Sequence, residues 1–283
     1  VATGTASKRE PAHRGAARSK GKAVAKPSRD PRGRRRYAVV HDIDGPRVRL
    51  GILWFLVAAG ALAIGPFPTA LVYGAAAAVA GAQTARAWRR QRLRANQVVA
   101  AAIGGGAAVG ACLGAGGSGI AVLVGTAAAF GVATVDRRSP NSAVADAGWT
   151  VQCGLPVGIA AMSMVLLARL DQGSAIALLL LVSAYEAGDY LIGSGARNPY
   201  EGPAAGICGI TVITFIVSTF RISSLDVTQA WVFGALVAVL APLGQLVASA
   251  LLPDASSPAS ALRRLDSLLL AAPVGYVLVA QLR

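Results

Sequence analysis

The sequence predicts an all-α, polytopic membrane protein of about nine transmembrane helices with a disordered basic N-terminal tail. Three observations carry this. Of the 283 residues, 54% are hydrophobic and only 14% charged, with a mean hydropathy of +0.56, whereas a soluble domain carries about a quarter charged residues. The apolar residues fall in runs close to the ~20 needed to cross a bilayer. Finally, 14 of the 27 Lys and Arg residues precede Leu50, so the positive charge is concentrated at one end.

The elements follow in order. Residues 1–48 form the tail, rich in Lys, Arg, Ala, Gly and Pro up to about Arg36 and without apolar periodicity, so it has too little apolar surface to fold. It reads as a positive-inside anchor on the cytoplasmic side of a bacterial-type cell membrane, and binding to anionic lipid head groups fits the same composition. Nucleic acid is not an expected partner, because no aromatic residues interleave the charges. A secretory signal is not expected either, since the basic region is long and the first apolar run starts near Leu50. Residues 49–283 form the membrane domain, with apolar segments at roughly 50–64, 68–85, 97–113, 117–135, 151–169, 174–193, 203–219, 229–252 and 267–281. Gly65-Pro-Phe-Pro68 marks a tight turn between the first two. The glycines at 104–106 and 114–119 suit close helix packing; they lack the following Lys-Ser/Thr of a phosphate loop. Cys112, Cys153 and Cys208 lie in apolar stretches without metal-ligand spacing and read as small core residues.

Nine spans with a cytoplasmic tail put Arg86, Arg89, Arg90, Arg92, Arg94, Arg137, Arg138, Arg197, Arg263 and Arg264 inside, and only Arg169, Arg221 and Arg283 outside. This obeys the positive-inside rule. The same count puts two polar constellations on the cytoplasmic face. In the first, Glu186 and Asp189 share a helix face at i and i+3, with Glu186 about a turn inside the membrane. Two carboxylates so placed suit a hard cation such as Mg²⁺, and a Gly/Pro-containing loop follows with Arg197 and Glu201. In the second, Gly244-Gln-Leu-Val-Ala-Ser249 precedes Arg263-Arg-Leu-Asp266. Arg264 and Asp266, two apart on a helix, point to different sides, one toward a phosphate and the other toward a metal. A plainer reading of each stays open: a polar helix end with a solvated loop, and a topology-setting arginine pair with Asp266 as helix N-cap.

These residues resemble the signatures of the phosphatidate cytidylyltransferase family, also called CDP-diacylglycerol synthase, over roughly the last hundred residues. Arg264, Asp266, Ser267, Pro273 and Tyr276 match its Asp-Arg-x-Asp-Ser…Pro…Tyr block. Gly188, Tyr190, Gly193, Glu201, Gly202 and Gly206 match an earlier block, with Glu186 where the family has Asp and Arg197 where it has Lys. Gly244, Leu246 and Ser249 match a third. The chain departs at Gln245 and Arg263, both Asp in the family, and at Asp189, where the family has Ala. Asn198 and Pro199 replace a Lys and a Thr, the loop at Leu252-Pro-Asp-Ala255 is shortened, and a His-Gly-Gly is absent.

The resemblance implies a transferase, a nucleotidyltransferase of phospholipid biosynthesis and lipid metabolism. In that reaction a phosphatidate oxygen attacks the α-phosphorus of CTP, giving CDP-diacylglycerol and pyrophosphate. Phosphoryl transfer needs positioning and charge neutralisation. By this resemblance Asp266, Glu186 and Glu201 are catalytic, and Glu186, Asp189 and Asp266 hold magnesium (Mg²⁺). Arg197, Arg263, Arg264 and Ser249 bind phosphate. The partners are then an anionic phospholipid, CTP or another nucleotide, the membrane and, as an open alternative, a second copy in a homodimer. Two other classes stay open: a non-catalytic relative that binds lipid or a partner protein, favoured by Gln245 and Arg263, and a small-molecule transporter.

Overall fold

A computed structural model describes residues 47–91, 93–136, 142–194, 198, 200–254 and 257–282. Nearly all of the expected tail, together with Arg197, lies outside the described residues. Among those residues there are nine α-helices: α1 (Arg47–Ile64), α2 (Pro66–Arg89), α3 (Gln97–Gly110), α4 (Ala115–Val135), α5 (Ala143–Leu170), α6 (Gln172–Gly193), α7 (Glu201–Phe220), α8 (Val227–Ala250) and α9 (Leu268–Leu282), with short 3-10 turns at Ala111–Leu113 and Leu262–Arg264. The apolar runs become helices because a chain in an apolar solvent must satisfy its backbone internally. Polar residues set many of the boundaries. Asn96 caps α3 through Val98 and Val99, Ser142 caps α5 through Ala145, Asp171 caps α6 through Ser174, and Asp226 and Gln229 form a reciprocal capping box on α8.

Two boundaries differ from the sequence expectation. Pro66 and Pro68 open α2, because a first-turn proline forfeits no intrahelical bond. The turn is left to Gly65, whose φ of 142° suits glycine. Helix α5 starts eight residues before the apolar run, because the Ser142 cap nucleates two turns interrupted by the polar, buried Asp146 and Thr150.

Five helices, α4 to α8, are long and apolar enough to cross a membrane. Helices α1, α3 and α9 contain shorter apolar stretches, and α2 is long but Ala-rich. The outer surface is apolar: Leu56, Leu123, Val212 and Phe215 are 60, 71, 60 and 61% exposed. Patches of this kind mark contact with lipid rather than water. The protein is a helical membrane protein. Its central helix is α5, two-thirds buried, which packs on α2, α3, α4, α6 and α9. Helices α6, α7, α8 and α9 pack in turn on one another. Gly104 on α3 sits so near the Ala77 carbonyl of α2 that a Cβ would stand 2.7 Å from it, the close approach expected of that glycine run. Cys153 is buried, whereas Cys208 is exposed on α7, which corrects its reading as a core residue.

The connections sort to two ends. Gln172 donates to the Leu62 and Ala63 carbonyls, Arg169 to that of Cys112, and Ser224 to Asp171. These bonds gather the α1–α2, α3–α4, α5–α6 and α7–α8 connections at one end. At the other, Trp88 Nε1 donates to the Leu251 carbonyl at 2.8 Å. Gln83 accepts from the Ala261 N–H at 3.0 Å and donates to Ser260 at 3.4 Å. The C-terminal part of α2 thereby ties down the loop that carries Arg263 and Arg264.

Candidate functional site

The site gathers side chains from three stretches of sequence. Helix α6 supplies Tyr185, Glu186 and Asp189 near its end. Helix α8 supplies Gln245 and Ser249, one turn apart on one face. The 3-10 turn supplies Arg263 and Arg264, and the turn into α9 supplies Asp266 and Ser267. Glycines let these stretches meet. A Cβ on Gly244 would collide with the Asp266 carbonyl, one on Gly202 with the Asp189 carboxylate, and one on Gly206 with the Tyr185 ring.

The hydrogen bonds run through the cluster. Tyr185 OH donates to Gln245 Oε1 at 3.3 Å, and Gln245 Nε2 donates to Asp189 Oδ2 at 3.4 Å. An ionised carboxylate only accepts, so the Gln245 amide must turn its NH₂ toward Asp189 and its oxygen toward the tyrosine. Arg263 Nη1 donates to Ser249 Oγ at 3.1 Å. Ser267 donates to Asp266 Oδ1 from its N–H at 2.7 Å and its hydroxyl at 3.3 Å, and its hydroxyl also pairs with Glu186. Arg263 acts electrostatically on Asp266, and Arg264 on Glu186. Burial pushes the Asp266 carboxyl up to about 6, against the pull of Arg263 and the Ser267 hydrogen bonds. Burial also lowers the Arg263 guanidinium from its usual value, partly offset by Asp266, and it stays cationic.

The expected residues are thus partly assembled. Glu186, Asp189, Ser249, Arg263, Arg264 and Asp266 are brought together. Glu201 is exposed on the first turn of α7. Asp266 stands two residues before α9, and its carboxylate turns back onto Ser267 rather than serving as the residue adjoining the helix.

Three residues escaped the sequence reading. The Tyr73 side chain on α2 is fully buried, its hydroxyl has no hydrogen-bond partner among the described residues, and it lies in electrostatic range of Glu186. Trp54 of α1 meets Tyr73 edge-on, with ring centroids 5.7 Å apart. Gly51 of α1 leaves room for Arg264, whose Nη1 stands 3.1 Å from where a Cβ would be. Helices α1 and α2 therefore also border the cluster. A lone tyrosine in an Ala-rich helix was the available signal, but more than a hundred residues separate it from Glu186.

The resemblance implies a magnesium ion, and the side chains present do not fit a resident one. Mg²⁺ demands near-octahedral oxygen ligation. Among the described residues no group of three His, Cys, Asp or Glu side chains converges as a metal site. The Asp266 carboxylate also lies under the electrostatic influence of Arg263. At an effective dielectric of about 20, a divalent ion ~4 Å from a guanidinium would be repelled by several kcal/mol. What the arrangement can do is present guanidinium donors, held in place by carboxylates, to an anionic group.

The architecture and the buried ionic cluster define a class: a helical membrane protein with a charged site enclosed between helices, the kind of feature that marks a functional site in a membrane domain. No protein-family model matches the chain, and no curated protein matches it.

Proposed function

We propose that this chain is a divergent relative of the phosphatidate cytidylyltransferase family that binds a phosphate-bearing lipid and a nucleotide at the cytoplasmic face of the membrane. One observation carries the reading: the three sequence blocks that resemble that family, far apart in the chain, converge through Gln245, Ser249, Arg263 and Ser267 into one cluster. In its full form the reading has the chain span a bacterial-type cell membrane nine times, with the tail inside. Helices too short or too Ala-rich to qualify on hydropathy alone fit this count when neighbouring helices cover them, as they cover α2. In the corresponding reaction the phosphatidate phosphate oxygen bonds to the α-phosphorus of CTP, the α–β bridging P–O bond breaks, and pyrophosphate departs. Arg263 and Arg264 would neutralise the phosphates, with Asp266 and Glu186 acting electrostatically on them.

A second reading, a non-catalytic relative that binds the lipid without turning it over, is favoured by the guanidinium of Arg263 beside Asp266. The two separate in one assay: purified protein with phosphatidate, CTP and Mg²⁺, following CDP-lipid formation, with Asp266→Ala in parallel. Product that disappears in the variant supports the transferase. No product from folded protein, with a genuine family enzyme active alongside, overturns it and leaves the binding protein.

A further inference from the structure

Away from the buried cluster, a cavity of about 330 Å³ lies between the end of α2 and the loop that follows α8. Ala87, Arg90 and Gln91 form one wall, and Pro253, Asp254 and Ser257 the other. Its size falls at the small end of the range for ligand sites, about 300–1,000 Å³, which suits a head group rather than a whole lipid. The walls are held before anything binds. Trp88 Nε1 donates to the Leu251 carbonyl at 2.8 Å and so ties α2 to the loop. The Gln91 N–H turns back to the Trp88 carbonyl, and the Ser257 N–H to that of Asp254, each at 2.9 Å. Trp88 also packs on Trp149, with ring centroids 4.6 Å apart. Tryptophans gather at the membrane–water boundary, and arginines follow Trp88 directly, so the cavity lies at the depth of the lipid phosphates.

Charge selects the occupant. Arg86, Arg89 and Arg90 are exposed at this end, and none of the three makes an ion pair with another described residue. Arg90 lines the cavity itself. The last carbonyls of α2 would repel an anion, but three arginines in and beside that turn reverse the sign, and they outnumber the one carboxylate of the lining, Asp254. We propose that this cavity docks the phosphodiester head group of an anionic phospholipid of the phosphatidylglycerol type. Arg90 meets the phosphate, because a planar guanidinium matches phosphate oxygens two at a time. The Gln91 amide and the Ser257 hydroxyl both donate and accept, so they suit the hydroxyls of such a head group. This site is separate from the buried cluster, and the inference does not rest on the function proposed above.

The test is lipid binding to the full chain in mild detergent, followed by native mass spectrometry. The probes are phosphatidylglycerol, phosphatidylethanolamine and phosphatidylcholine. The expected result is one phosphatidylglycerol held at least about fivefold more tightly than either zwitterionic lipid, the worth of one basic residue at an anionic membrane surface. Arg90→Gln is expected to abolish that preference and Ser257→Ala to reduce it. Arg90→Lys keeps part of it, and covers the case in which the glutamine variant does not fold. Arg89→Gln removes an equal charge just outside the cavity and is expected to leave the preference standing. The Arg263→Gln, Arg264→Gln double variant also keeps it, which separates this site from the buried cluster. Equal losses in Arg90→Gln and Arg89→Gln would mean a diffuse basic surface and overturn the inference. A preference for phosphatidylethanolamine, no preference among the three lipids, or a preference lost only in the double variant would each overturn it too.

Discussion

Gln245 and Asp189 show at the residue scale how the site departs from the pattern it resembles. Where the resembled family has an acid on the equivalent of α8 and alanine on α6, this chain has an amide on α8 and an acid on α6, joined by a 3.4 Å hydrogen bond. On the proposed kinship, the negative charge stands on the opposite side of one helix interface. Gln245→Asp is therefore expected to set two carboxylates face to face and destabilise the fold. Adding Asp189→Ala should recover it, with a coupling in the range of about 0.5–3 kcal/mol found for contacting residues. Thermal unfolding of the two single variants and the double variant checks this; strict additivity would contradict the relocation.

Asp266 gives a pH prediction. Its folded value lies above the ordinary 3.8, at about 6, chiefly through burial. The groups around it are Glu186, Asp189 and Tyr185 from α6, Arg263 from the 3-10 turn, and Ser267. A raised acid binds its proton more tightly when folded. Its contribution to stability is thus fully present below 3.8 and is lost as pH rises through about 6. Thermal midpoints measured across that window should fall with rising pH in the native chain and fall less in Asp266→Asn.

At the scale of the element, helix ends and contacts between helices are legible to different degrees. The apolar runs anticipate all nine described helices, because lipid permits little else. The start of α5 was hidden, since its polar first turns break the hydropathy that marks the rest. Close contact between helices is written mostly in glycines, and only the structure says which of them matter. Gly244 faces the Asp266 carbonyl, whereas nothing lies within 4 Å of a Cβ on Gly60. Gly244→Ala should cost about 1–3 kcal/mol by overpacking and disturb the site. Gly60→Ala should be neutral, or stabilising by up to ~1 kcal/mol. Equal effects in a thermal melt would contradict this account of the packing. Asp171 makes a similar case at the other end of α6. Burial would raise it, but hydrogen bonds from Ser174 and Ser224 outweigh that and hold it below its ordinary value. Asp171→Ala should cost about 0.5–2 kcal/mol, the usual worth of an N-cap. In the native chain that contribution is complete above the unfolded value and is lost as pH falls through the lower folded one.

For the whole molecule, the sorting of connections into two ends agrees with the charge asymmetry read from the sequence. The end that carries Arg86, Arg89, Arg90 and Arg94 also carries Arg263 and Arg264. Labelling single cysteines from outside intact cells should reach a probe replacing Arg221 and miss one replacing Arg94; the reverse pattern would contradict a cytoplasmic site. The sequence located most of the charged residues but not what encloses them. Tyr73 and Trp54 belong to helices whose composition reads simply as membrane span, and only tertiary packing brings them to Glu186. It also gave Arg263 a phosphate-binding role without showing that this arginine bonds Ser249 and acts on Asp266.

The central claim is that the cluster of α6, α8 and the 3-10 turn recognises a phosphate group. The most direct measurement is the dissociation constant for phosphatidate against that for diacylglycerol, which lacks the phosphate, in the native chain and in the Arg263→Gln, Arg264→Gln double variant. The account predicts that the native chain prefers phosphatidate by at least about tenfold, roughly 1.4 kcal/mol, and that the double variant loses the preference while remaining folded. Equal affinity for the two lipids in the native chain, or a preference that survives in the double variant, would contradict it.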